Sequence, residues 1–107
     1  GTDSLASNSS LDPLAEARAL AKRFPSVAPL ELLAMASAWG ARVLGLDRVL
    51  GRIQPGAYPG VLGFVHGPSA APSDPARFVL EQERAERRVL SRPAYQRLPA
   101  IFQEVFA

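Results

Sequence analysis

The sequence predicts an α/β chain, predominantly helical when taken alone, and three observations carry that expectation. Two stretches in the first half each open on a proline and then repeat apolar residues at three- and four-residue intervals, the pattern of a helix with one covered face. A Pro-Gly pair at Pro55-Gly56 precedes a short apolar run at 61–65, which suits a strand better than a helix. With 48% hydrophobic residues, the 107-residue chain has enough apolar side chain for one core.

The first helix is expected over 13–24. Asp12 can cap its free amides, and Pro13 has the φ angle that a first helical turn requires. Leu14, Ala17, Ala21 and Phe24 form one face with Leu20 beside them, while Glu16, Arg18, Lys22 and Arg23 are assigned to the other. Pro25 ends this helix and Pro29 begins a second, expected to run to Leu44 and stop at Gly45. Leu30, Leu33, Ala34, Ala38 and Ala41 trace one face of it, and Leu32, Met35 and Trp39 broaden that face. So wide an apolar surface places Met35 and Trp39 in the core.

From Leu46 the texture changes to short units. Two strands, over 46–53 and 61–65, are expected around the turn Gln54-Pro55-Gly56-Ala57, where Gly tolerates a positive φ. The second strand, apolar except for Gly63, reads as covered on both sides. His66 ends it as a structural residue, since a metal site needs several converging ligands and no other His or Cys exists in the chain. Residues 69–75 form a loop. Residues 77–95 admit two readings. Asp74-Pro75 repeats the helix-start signal, whereas Phe78-Val79-Leu80 and Val89-Leu90 read as strands, and for the second of these the strand is favoured. A short closing helix is expected over 99–106, with Ile101, Phe102, Val105 and Phe106 on one face.

Composition excludes several functions. Twelve Lys and Arg stand against ten Asp and Glu, a net charge of +2, and the densest basic stretch at 84–88 is interleaved with Glu81, Glu83 and Glu86. Its field cancels where phosphates would be attracted, so no nucleic-acid partner is expected. The absence of Cys rules out disulfides and thiolate metal sites, and fits a cytoplasmic protein. No apolar run approaches the roughly 18 residues that span a membrane, so no membrane partner is expected either.

The candidate chemistry lies at the start, in Gly1-Thr2-Asp3-Ser4-Leu5-Ala6-Ser7-Asn8. Asp3 stands between two hydroxyl side chains, and a carboxylate so flanked can bind a metal or accept a proton. From these residues alone, an ordinary terminus with a stray acid is the simpler reading. The motifs downstream of Asn8 change it. The order Gly1-Thr2-Asp3-Ser4, Ser7-Asn8, Leu11-Asp12-Pro13-Leu14-Ala15-Glu16, Pro29-Leu30-Glu31-Leu32-Leu33-Ala34-Met35-Ala36, Gly40-Ala41-Arg42-Val43-Leu44-Gly45-Leu46, Gly51-Arg52-Ile53-Gln54-Pro55-Gly56 resembles the carboxyl-terminal part of the metal-dependent amidohydrolase superfamily. Within it, the resemblance is to the branch of aminohydrolases, chlorohydrolases and deaminases.

The resemblance implies a carboxyl-terminal piece of a (β/α)8 barrel. Residues 1–45 would be the end of its eighth strand and the helices after it, 46–66 a segment of a small composite β-sandwich, and 67–107 an extension with a closing helix. It implies that Asp3 binds the catalytic metal, zinc foremost and iron as the alternative, and carries a proton from the metal's water to the leaving group. Ser4, Ser7 and Asn8 would lie near substrate or behind the ligands. The family's His-x-His pair and two further histidines have no counterpart in this sequence, whose one histidine is His66. Activity is therefore expected only with an amino-terminal barrel portion, the chain's principal partner, and a small-molecule substrate, a ring-bearing amine. A homo-oligomer is compatible with this reading. After Pro55-Gly56 the family commonly continues with a basic residue and Ala-Asp, where this chain has Ala57-Tyr58-Pro59-Gly60. The alternative function is a small helical module that binds a partner protein through its second helix and catalyses nothing.

Overall fold

The structure is a computed structural model that describes residues 12–97 and residue 100. Among the described residues, four helices and two strands follow in the order α1 (Pro13–Arg23), α2 (Pro29–Met35), α3 (Ala38–Val43), β1 (Val61–Phe64), α4 (Pro75–Glu81) and β2 (Arg87–Ser91), with a 3-10 turn at Tyr95–Arg97. The expected closing helix over 99–106 lies, apart from residue 100, outside the described residues.

Helix α1 forms where its cap and proline direct it. The Asp12 carboxylate accepts from the Leu14 amide at 3.0 Å, and Lys22 and Arg23 occupy the last turn, where cations meet the free carbonyls. Helix α4 repeats the device, with Asp74 accepting from the Arg77 amide. Its Asp-Pro start outweighs the strand reading of Phe78-Val79-Leu80, which the structure corrects. Gln82, which interrupts the apolar face, is the residue that caps the helix end.

The second helix is not continuous over 29–44. It breaks into α2 and α3 at Ala36-Ser37, where Ser37 takes a non-helical φ of −139° and its hydroxyl donates to the Leu33 carbonyl at 2.7 Å. A hydroxyl bonding back one turn competes with the helical ladder, and here it accompanies a change of axis. The expected stop at Gly45 is present. Gly45 has φ +72°, its amide donates to Arg42 O, and the Leu46 amide donates to Ala41 O, the paired bonds of a Schellman motif.

No strand forms over 46–53. Leu46 is buried and its carbonyl accepts from both Val49 and Leu50, while the Gln54 side-chain amide donates to the carbonyls of Asp47 and Arg48. The polar backbone is thus satisfied locally and needs no sheet partner. Gly51 cannot be replaced without strain. Its φ is +82°, and a Cβ there would fall 2.8 Å from the Ala41 Cβ and 3.0 Å from the Ala38 Cα, so it is where the loop touches α3. The Pro55-Gly56 turn has the expected form, with Gly56 at φ +83° and the Ala57 amide donating to Gln54 O.

The strand at 61–65 finds its partner in β2, which bears out the strand reading of Val89-Leu90. The two are antiparallel with Leu62 opposite Val89 and Phe64 opposite Arg87, and a bulge between Val61 and Leu62 accommodates the extra residue Leu90. Leu90 lies over Gly63, where a Cβ would meet its Cδ1 at 3.0 Å. The expectation that this strand is covered on both sides is not met among the described residues: Leu62 is 50% exposed, and all of β2 is exposed.

The core joins α1, α2 and α4 through Ala17, Leu32 and Leu80, with Leu14, Leu20, Ala21, Val27 and Leu33 packed around them. Met35 and Trp39, placed in the core by the breadth of their helix face, are 47% and 45% exposed. Arg18, assigned to the outer side of α1, is instead 7% exposed, and its guanidinium donates twice to the Val79 carbonyl, at 2.9 and 3.2 Å. Val79 lies in the last turn of α4, whose carbonyls have no helical partner. A cation is the favoured group there. Arg18→Met keeps the apolar stem and removes both donors, so it should destabilise by about 1–3 kcal/mol. Urea unfolding of the complete polypeptide measures this.

Candidate functional site

Asp3, Ser4, Ser7 and Asn8 lie outside the described residues. The described residues do include the point where the chain from Asp3 enters α1. Asp12 stands on the rim of an open cleft of about 620 Å³ between α1, α2 and the β1 side of the sheet. Its walls include Leu14, Leu33, Ile53, Val61, Leu62 and Phe64, and Asp12, Ser37 and Arg52 bring the charged and hydroxyl side chains.

Two of those three are already engaged. The Ser37 hydroxyl is bonded to Leu33 O, and Asp12 pairs with Arg87 at 2.7 Å while capping α1. The Arg87 hydrogen bond holds the Asp12 carboxyl below the ordinary carboxylate value, with the Leu14 amide and the charges of Arg87 and Arg18 acting the same way against a contribution from burial. With one carboxylate oxygen capping α1 and the other paired to Arg87, Asp12 is engaged in holding the fold.

The consequence is a pH-dependent contribution to stability. Because the folded value is lowered, Asp12 stabilises the fold above its unfolded pKa of about 3.9, and that contribution disappears as pH falls through the lowered folded value. Asp12→Asn keeps a competent cap and loses the ion pair, so it should cost about 0.2–1 kcal/mol at pH 7, both partners being a third or more exposed. The difference between the two proteins should close below the folded value. Unfolding measured at pH 7 and through a descending acid series checks both statements.

Among the described residues, no group of three or more His, Cys, Asp or Glu converges to hold a metal. His66 is exposed, with Nδ1 2.8 Å from Gly67 O. No described helix is long and apolar enough to cross a membrane.

Two positioning contacts escape a linear reading. The Asp12–Arg87 pair joins residues 75 apart, and no local signal marks it. Arg18 had a signal, since it is four residues from Leu14 and three from Ala21, on the apolar stripe itself.

No curated protein and no solved structure matches the chain. A family model described as "Amidohydrolase family" matches residues 1–82, from the segment with Asp3 through the end of α4. That match takes in the motifs from Gly1 to Gly56, the strand β1 and the whole α1, α2, α4 core, and the chain belongs to the amidohydrolase family.

Proposed function

We propose that this chain is the carboxyl-terminal part of a metal-dependent hydrolase of carbon–nitrogen bonds, in the aminohydrolase and chlorohydrolase branch, that deaminates a ring-bearing amine. The observation that carries the reading is Gly1-Thr2-Asp3-Ser4 at the head of motifs kept in family order inside the matched region. Asp3 is the residue that accepts and returns the proton, and Ser4, Ser7 and Asn8 orient it or the substrate. The family generally uses a divalent metal, which activates water and polarises the bond to be cleaved. Among the described residues no donor set converges for such a metal; in this reading Asp3 is one ligand and histidines of the amino-terminal portion are the others.

Exposed apolar surface supports that division of labour. Leu30, Met35, Trp39, Val43 and Leu44 on and beside α2 and α3 are all large and all exposed, a surface of the kind that a barrel wall would cover. The family match does not favour the non-catalytic helical module. The test is ammonia release by the complete polypeptide from exocyclic amines of purine and pyrimidine rings. Release should stop after chelation and return with added zinc. Release insensitive to chelation, or none from any ring amine, would contradict the reading.

A further inference from the structure

The open cleft beside α2 is unsuited to a polar ring amine. Small-molecule sites combine apolar walls with a few convergent polar groups free to fix orientation. Here the Asp12 carboxylate is committed to Arg87 and the Leu14 amide, and the Ser37 hydroxyl to Leu33 O. Apart from Arg52 on the rim, the remaining wall is Leu, Ile, Val, Phe, Pro and Ala side chains with glycine backbone. An apolar face fits this surface.

Three contacts deliver one segment of the chain to its rim. The Ser91 hydroxyl donates to Pro59 O at 3.0 Å, Pro93 packs against Gly60, and the Tyr58 hydroxyl donates to Arg97 O at 2.8 Å. The Arg97 guanidinium also sits 5.5 Å over the Tyr58 ring. Pro59, Gly60 and Val61 line the cleft, so Arg97, held against Tyr58, lies beside its edge. Next in sequence comes Pro99-Ala100-Ile101-Phe102-Gln103-Glu104-Val105-Phe106, whose spacing would put four large apolar residues on one face of a helix and Gln103 and Glu104 away from it. Residues 1–11, which precede Asp12 of the cleft lining in sequence, carry only Leu5 and Leu11 as large apolar side chains.

We propose that residues 99–106 dock as an amphipathic helix in this cleft, placing Phe102, Val105 and Phe106 against Leu33, Ile53, Leu62 and Phe64, with the Tyr58–Arg97 pair as the pivot that aims them. Pro59 and Gly60 then belong to a docking rim. The departure of Ala57-Tyr58-Pro59-Gly60 from the family pattern acquires a use, because Tyr58 supplies the pivot.

The test uses cysteine pairs in the complete polypeptide, since residues 1–107 contain no Cys of their own. Ala36→Cys with Val105→Cys is treated with a short bismaleimide, and linked peptides are identified by mass spectrometry. Leu62→Cys with Val89→Cys, opposed across the two strands, reports the folded chain in parallel. Docking predicts an intramolecular 36–105 link, reduced about tenfold by Phe102→Asp because a charge must then enter an apolar wall. A 62–89 link without a 36–105 link overturns the proposal. So does a 36–105 link between two copies, or preferential linking of the Ala36→Cys thiol to that of an Asn8→Cys variant. None of these readouts involves substrate, so the docking can fail while the hydrolase reading stands, and the reverse.

Discussion

Asp3→Asn should lower kcat of the complete enzyme about 10²–10⁴-fold, the usual worth of a positioned proton acceptor. Asn has nearly the shape of Asp and keeps one oxygen able to accept from Thr2 or Ser4, but it cannot hold a proton at neutral pH. The loss should therefore fall on turnover with little change in thermal unfolding, which separates chemistry from folding. Metal content measured alongside distinguishes two ways of losing activity: retained metal with lost turnover identifies the proton function, and lost metal the ligand function. An Asp3→Asn enzyme with unaltered turnover would remove Asp3 from the site.

Leu80→Ala should destabilise by about 2–5 kcal/mol, the range for deleting a buried Leu side chain where neighbours cannot collapse into the space. Leu80 is 3% exposed and clusters with Ala17 and Leu32, so one side chain holds α4 against both α1 and α2. Ala17 offers a single methyl group and cannot refill the cavity. An Ala at exposed Ser69 should stay within about 0.5 kcal/mol. Urea unfolding followed by amide exchange in α1 and α4 measures both, and a cost for Leu80→Ala below about 1 kcal/mol would show that the three-helix contact is not the core.

Local signals in the sequence mark much of this fold, and the parts they miss have physical reasons. Asp12-Pro13, Asp74-Pro75, Gly45 and Pro55-Gly56 each act within a few residues, so caps, stops and turns are legible. The break at Ser37 is not, because a serine inside an apolar helix either continues the ladder or bonds back to the preceding turn, and the choice goes with a contact distant in sequence, the close approach of Gly51 to Ser37, Ala38 and Ala41. The strand reading of 46–53 fails because a side chain, Gln54, takes carbonyls that a neighbouring strand would have bonded. Burial is the least legible property. The breadth of their helix face assigns Trp39 and Met35 to the core, yet a wide apolar face does not say which part of it the fold covers, and among the described residues both stay about half exposed. The candidate site is legible as a motif at residues 1–8, which precede the described residues, and the family match over 1–82 spans that motif and shows the family alone.

Everything proposed for Asp3 depends on histidines supplied by an amino-terminal barrel portion, and the reading frame that encodes Gly1, sequenced upstream, decides whether they exist. A His-x-His pair and two further histidines are expected within about 300 residues, the length scale of a (β/α)8 barrel. An initiation codon next to Gly1, with no such histidines encoded in the frame, would leave Asp3 without a metal site to complete and refute the hydrolase reading.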